Sequence, residues 1–407
     1  MITSSDIRHA LKQVSSWVEN HNYCGYEPFD GLSSWARPLT FHNLLAERIL
    51  QQLIRQSPIN LRPLFGVSQK DSTKGRGYMA WGYLILYRDL KSPELLQKAT
   101  ACLEWLDKHK VSRFDNHSWS NHFDFSSRGG SYTSNDPIIV WTALIGHAYI
   151  EAFECTGNEW FLDIARSVCR WIIELPREYT NSGNCISYLA NCQSSIHNSN
   201  MLGASLLARA SKYIKDQSYR EIAHSAMQYS CSRQLPNGAW WYAEDPKYHW
   251  IDNFHTGYNL ESLHTYIEAT GDSSYRKSFD EGLCFYKNHF FEPSGRPKYY
   301  HNKTYPVDSQ CISQSIDTLS LVADWDKGSY DLARKVADWA ICNMQDKRGY
   351  FYYRQYPFIK AKTPMLHWAQ ATMYKALARL YVRLKSTDYS DVQCHNLKVE
   401  REAVLQL

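Results

Sequence analysis

A carboxylate and an imidazole three residues apart at the start of a helix share one face and can exchange protons with a bound substrate. The stretch Ile251-Asp252-Asn253-Phe254-His255-Thr256-Gly257-Tyr258 has that spacing, and Leu260, Leu263 and Ile267 continue it as an apolar-periodic helix. Asp252, Asn253, His255 and Tyr258 therefore crowd one helix entrance. The preceding loop, with Trp240, Trp241 and Tyr242, supplies flat rings of the kind that stack on the apolar face of a pyranose.

Other entrances repeat the pattern. They carry Lys74, Arg76 and Tyr78; Asn135 and Asp136; His197, Asn198 and Asn200; Asp308 and Gln310; and His367 and Gln370. Glycoside hydrolysis needs two carboxyl groups across the scissile bond, one of them protonated, and Asp252, Asp308 and Asp136 are the candidates. A carboxylate at a helix N-terminus is favoured in its ionised form, which suits a base or nucleophile, so His255 or a tyrosine would supply the acid. Epimerisation or elimination next to a carboxylate instead needs a base, an acid on the other face and cations for the enolate. Tyr258, His255, Tyr299 or Tyr300 would exchange the proton, and Lys74, Arg76, Arg128, Arg296, Lys298, Lys303 or Arg354 would hold a uronate. The competing reading is structural: Asp136 before Pro137, Asp252, Asp308 and Thr363 before Pro364 are also good N-caps.

The elements that must position these residues are helices. An amphipathic helix from about Ser5 to Asn22 is followed by a second from about Leu39 to Gln56. An alternation then begins. Helices entered near Tyr78, Pro137, Ser199, Thr256, Ser309 and Pro364 are rich in small or apolar residues. The first five are each followed by an amphipathic helix, entered near Pro93, Glu159, Ser218, Ser273 and Ser329. The period of roughly 50 to 60 residues indicates an array of helical hairpins. Thr156-Gly157-Asn158 and Thr270-Gly271-Asp272 mark tight turns within hairpins, whereas the long links all precede the first kind of helix and must gather at one end. The N-terminal helix fills the twelfth place. The prediction is an all-α (α/α)6 toroid over residues 1–385, with a funnel at the long-loop end and a polar tail over 386–407; an open α-solenoid is the rival.

The bulk properties exclude several classes. A net charge of +4 spread over 407 residues is not that of a nucleic-acid-binding chain. No apolar run approaches membrane-spanning length, and the N-terminus lacks the features of a secretory signal. The 11 cysteines show no C-x-x-C pair and fall mostly in helices, as reduced thiols of a cytoplasmic protein would. Aromatic residues are 14% of the chain, with 29 Tyr and 14 Trp, an excess that suits sugar binding. Asn116-His117-Ser118-Trp119-Ser120-Asn121-His122-Phe123-Asp124 fits no metal-ligand spacing, and no Walker, Rossmann or G-x-S-x-G motif is present. Neither a metal nor a cofactor is expected.

The unit Gly238-Ala239-Trp240-Trp241-Tyr242 with Asp252-Asn253-Phe254-His255-Thr256-Gly257-Tyr258 resembles the six-hairpin (α/α)6 carbohydrate-active superfamily of unsaturated glucuronyl hydrolases and N-acylglucosamine 2-epimerases. The likeness is one of architecture over about residues 70–385. The segments Tyr26-Glu27-Pro28-Phe29-Asp30-Gly31-Leu32 and Asn60-Leu61-Arg62-Pro63-Leu64-Phe65-Gly66 resemble a branch associated with bacterial surface-polysaccharide gene clusters. This resemblance implies a sugar-directed enzyme of surface-polysaccharide metabolism. The leading expectation is hydrolysis of an acidic oligosaccharide or polysaccharide, with Asp252 as catalytic carboxylate and Asp136, Asp308, His255 and Tyr258 as partners. Trp240, Trp241, Tyr242, Asn253, His197, Asn200, Arg76, Lys74, Gln310, His367 and Tyr300 would bind the substrate. The alternatives are a cofactor-free sugar epimerase or lyase using His255 and Tyr258, and a non-catalytic glycan-binding protein. Oligomeric state is not legible.

Overall fold

The computed structural model describes residues 2–386; residues 387–407, which hold nearly all of the expected tail, lie outside the described residues. Six helices form an inner ring: α3 (Thr73–Leu90), α5 (Ile139–Thr156), α7 (His197–Ala210), α9 (Asn253–Thr270), α11 (Ser309–Leu321) and α13 (residues 366–386). Between them in sequence run the outer helices α4 (Pro93–Lys108), α6 (Glu159–Glu174), α8 (Gln217–Cys231), α10 (Arg276–His289) and α12 (Lys327–Met344). The two kinds differ for a physical reason. An outer helix buries one face, as α6 does with Phe161, Ala165, Val168, Cys169 and Ile172. An inner helix is enclosed on all sides, and α5 is buried at nearly every position from Ile139 to Ala152.

Small residues let the inner helices meet. A Cβ on Gly77 would lie 2.7 Å from Ile145 of α5, and one on Gly82 would lie 2.6 Å from Tyr374 of α13. Helix α3 is thus wedged between α5 and α13, which closes the ring. The twelfth outer place belongs to α1 (Ser4–Asn20). Gly295, at φ +86°, sits in a turn against the backbone of Lys335 in α12, where a Cβ would approach to 2.6 Å. Gly349, at φ +100°, makes the same approach, also 2.6 Å, to Gln13 of α1. The same turn therefore meets α12 in one hairpin and α1 in the next.

The long links gather at the end where the inner helices start, and they contain short antiparallel pairs. These are β1 (Cys24–Gly25) with β2 (Lys70–Asp71), β3 (Phe125–Ser127) with β4 (Gly130–Tyr132), and β5 (Arg177–Thr180) with β6 (Gly183–Ile186). A three-stranded sheet joins β7 (Val307–Asp308), β8 (Arg354–Gln355) and β9 (Lys360–Ala361). Helix α2 (Leu44–Gln56) lies over this end, tied down by Gln51 to Ser126 and by Arg55 to Tyr353.

Four boundaries differ from the sequence reading. Helix α3 starts at Thr73, capped by Ser72, rather than near Tyr78. Helix α2 starts at Leu44 rather than near Leu39, because Phe41 and His42 take left-handed backbone conformations and Asn43 supplies the cap. Helix α5 starts at Ile139 with Ile138 before it, so Asp136 is not its cap; the Asp136 carboxylate accepts from the Thr133 backbone instead. Helix α13 opens at Leu366 as a π turn, beyond Thr363 and Pro364. Asp252 and Asp308, in contrast, do cap α9 and α11.

Candidate active site

The mouth of the ring opens into a cavity of about 600 Å³. Its wall is dominated by rings, among them Phe29, Tyr132, Trp141, Tyr188, Trp250 and Trp368. Among the described residues, Asp252 is the one carboxylate in that wall.

Asp252 is fully engaged. Oδ1 accepts from the His255 backbone N–H at 3.0 Å, while Oδ2 contacts His255 Nδ1 at 2.7 Å and accepts from Trp250 Nε1 at 3.0 Å. The Asp252 side chain is only 1% exposed, whereas that of His255 is 20% exposed. The carboxylate thus fixes one ring nitrogen of His255 and leaves Nε2 as the other proton-carrying position. Tyr242 packs its ring 4.6 Å from that of His255 and stacks on Trp250 at 4.7 Å.

The same arrangement recurs on α13. His367 Nδ1 is held by Glu27 Oε2 in a short contact, and the His367 backbone N–H donates to Oε1 at 3.3 Å. Both side chains are buried. Burial drives the His367 imidazole down to about 4, only partly opposed by the attraction of Glu27. Burial acts to raise the Glu27 carboxyl, yet His367, Lys74 and His122 around it bring it down to about 2. At neutral pH the pair is thus a neutral imidazole donating through Nδ1 to an ionised carboxylate, which leaves Nε2 as a base. Lys74 completes this side: burial lowers its ammonium to about 8, against the pull of Glu27, and it lies 4.2 Å over the Trp141 ring.

Between the two histidines stands Gln310 of α11. Its Nε2 donates to Tyr258 Oη at 3.0 Å, and Tyr258 Oη in turn meets Tyr78 Oη at 2.8 Å. Burial raises both phenols, so they remain protonated donors. Gln310 Oε1 and Asn198 Oδ1 are buried in the wall without a partner among the described residues, a state that favours a ligand hydroxyl.

Several residues singled out from the sequence lie elsewhere. Asp136 pairs with Arg113 outside the cavity. Asp308 is buried, where it accepts from Arg354, from the Gln310 backbone and from Trp368 Nε1, so it orients Trp368 rather than facing the cavity. Arg76 forks onto Asp71 and lies over Tyr23 at 3.8 Å. His197 bonds Glu244 and Ser230; Asn200 bonds Ala226 and Ile186; Asn253 accepts from Tyr286 and Ser315. Trp240 is buried with Nε1 on the Ser230 carbonyl, and Trp241 stacks on His249. Lys74, Tyr242, Asp252, His255, Tyr258, Tyr300, Gln310 and His367 do share the cavity wall. The His117–Asp124 stretch disperses: His117 bonds Asp107 and Ser167, and Asp124 pairs with Arg37.

Sequence reasoning overlooked Glu27, Arg48, Arg55, Trp250 and Trp368. Glu27 stands in the aromatic Tyr26–Leu32 segment, but no local spacing ties it to His367. Arg48 and Arg55 read as the polar face of an amphipathic helix, and only its placement across the mouth turns them inward.

No protein-family model matches the chain, and no curated protein matches it in sequence. Solved structures do resemble it. A cellobiose 2-epimerase from Bacillus thermoamylovorans superposes with a TM-score of 0.59 at 13% identity, covering 78% of this chain and 88% of its own. A GH76 α-mannanase from Bacteroides thetaiotaomicron gives 0.60 at 14%, covering 79% and 89%. A D-mannose isomerase gives 0.58 at 13%, covering 77% and 87%. The chain has the six-hairpin (α/α)6 toroid shared by these proteins.

Proposed function

We propose that the protein is a sugar epimerase or isomerase that moves a proton at a carbon next to a carbonyl. The observation that carries this reading is the pair of carboxylate-held imidazoles, His255 on Asp252 and His367 on Glu27 behind the wall, that line one aromatic cavity. One imidazole removes the proton and the other returns a proton to the opposite face or to the neighbouring carbon. Lys74 and the one phenol of the Tyr78–Tyr258 pair whose O–H is not spent on the other would stabilise the enediolate oxygens. Glycoside hydrolysis, the leading expectation from sequence, would have Asp252 as its one carboxylate in the wall and would need His255 or a tyrosine as its acid. Asp308 is committed to Arg354, and Asp136 lies outside. The likeness to both epimerases and a mannanase supports a sugar as substrate without choosing between the two chemistries.

An acidic sugar is the substrate we favour. Arg48, Arg55, Arg128 and Lys74 all line the cavity. Arg55 spends its Nε–H on the Tyr353 phenol and Arg128 donates to the Lys247 carbonyl, so neither guanidinium is neutralised by these contacts. We further read residues 1–385 as one catalytic domain. The free thiols, including exposed Cys192, Cys284 and Cys342, support a reducing, cytoplasmic setting.

The test is incubation with uronic acids, neutral aldoses and N-acetylamino sugars in heavy water, followed by NMR. Deuterium at the carbon beside the carbonyl, without bond cleavage, is expected, fastest with a uronate. Release of a reducing end from an oligosaccharide without exchange would establish hydrolysis instead. Saturable binding with neither outcome would make the chain a glycan-binding protein.

A further inference from the structure

Helix α2 presents three faces. Gln51 and Ile54 are buried, and Arg48, Gln52 and Arg55 face the cavity. The third face, Leu45, Ile49 and Leu53 at successive i, i+4 positions, is open to solvent at 54–62% exposure. It is flanked by Trp35, Leu39 and Phe41, the last 87% exposed. The β8–β9 hairpin, fastened to the end of α2 by Tyr356 and Arg354 on Gln56, adds Phe358 at its tip, fully exposed. An apolar face of this extent, on the rim of the barrel, is not the scatter of single residues ordinary for a protein surface.

Charge decides what covers it. From Gly31 to Gln69 the chain contains one acidic residue, Glu47, and that residue is buried against Arg37. Beside the apolar face, Arg48 and Arg55 on the neighbouring face of α2 and Arg128 across from them line the cavity mouth, and exposed Lys362 follows the hairpin. Two copies meeting here about a two-fold axis would set two rims of net positive charge against each other, since Asp124 and Glu47 are both spent on Arg37. An anionic lipid surface complements both features: it takes Trp, Phe and Leu side chains at headgroup depth and attracts the guanidinium and ammonium groups. We propose that this rim docks the protein on an anionic bilayer, with the cavity mouth facing the headgroups. Such docking is peripheral, because no described helix is long and apolar enough to cross a membrane.

Flotation of the full chain with phosphatidylcholine vesicles, with and without phosphatidylglycerol, tests this. Binding to the anionic vesicles is expected, weakened by salt and roughly tenfold or more by Leu45→Ser/Ile49→Ser/Leu53→Ser. Phe358→Ser, far away in sequence on the hairpin, should weaken it as well. Both variants replace exposed side chains outside the cavity and should keep the wild-type melting temperature. Failure of the wild type to bind anionic vesicles would overturn the proposal. So would a wild-type dimer in sedimentation that the triple variant converts to monomer, which would make the face a contact between copies.

Discussion

Glu27 holds the Nδ1 of His367 although the two residues lie 340 positions apart in the chain. The contact joins the link after the first helix to the start of the last inner helix, so one hydrogen bond both closes the toroid and fixes the tautomer of a base in the cavity. A parallel bridge between Tyr26 and Met365 runs beside it and holds the two segments in register.

Glu27→Gln should therefore separate stability from catalysis. The amide keeps the size of the carboxylate but removes the charge that selects the Nδ1–H form. A fall in kcat of about 10²- to 10⁴-fold is expected, with KM changed far less. Nitrogen-15 spectra of the imidazole should report the altered tautomer. Unaltered turnover would remove His367 from the reaction.

The buried pair also sets a pH dependence. An imidazole held at about 4 when folded, against an unfolded value of about 6.5, binds fewer protons folded than unfolded between those values. Its contribution to stability is thus complete above about 6.5 and is lost as pH falls toward 4. Glu27, at about 2 folded, acts in the same direction at still lower pH. In the rate, His367 must be neutral to accept a proton and Lys74, at about 8, must be charged to stabilise an oxyanion. The profile of kcat/KM should be a bell with its alkaline limb near 8, and Lys74→Met should abolish that limb along with most of the rate.

Asp308 provides the contrast. Its carboxylate is buried against Arg354 and lies behind the wall rather than in it. Asp308→Asn leaves the guanidinium buried without its counter-charge, at a cost of about 3–5 kcal/mol. Thermal unfolding should shift strongly, while hydrogen exchange at the sugar carbon, measured per folded molecule at low temperature, should survive. A fold as stable as wild type with exchange abolished would instead put Asp308 in the chemistry.

Much of this architecture is legible in the sequence because it is periodic and local. The six entrances, the tight Gly157 and Gly271 turns and the place of the N-terminal helix follow from spacing alone. Asp252 and His255 are legible together because three residues on a helix start put them side by side. Glu27 with His367 is not, since a tertiary contact leaves no spacing to read. His197, Asn200 and Asn253 look like site residues for a related reason. Polar groups at the start of an enclosed helix need partners, and here the outer helices and linking hairpins supply them before any substrate does. Asp136 fails differently: Pro137 suggests a helix start two residues too early, and the carboxylate closes a Thr133 turn instead.

Asp252 carries two duties that a single substitution can divide. Its Oδ1 caps α9 through the His255 backbone, and its Oδ2 holds the His255 ring. Asparagine is as good a cap as aspartate, whereas alanine removes the cap at a cost of roughly 0.5–2 kcal/mol. In Asp252→Asn, an amide that keeps Oδ1 on the backbone turns its N–H₂ toward His255 Nδ1. The imidazole must then accept at Nδ1 and carry its proton at Nε2, the nitrogen needed as a base. Because the amide N–H₂ also leaves Trp250 Nε1 without its acceptor, Asp252→Asn should lose some stability, but less than Asp252→Ala, which loses the cap as well. The kcat of Asp252→Asn should fall about 10²- to 10⁴-fold. If Asp252→Asn turns over at the wild-type rate, Asp252 is a cap alone, and the proton chemistry must be assigned to His367 with a different partner.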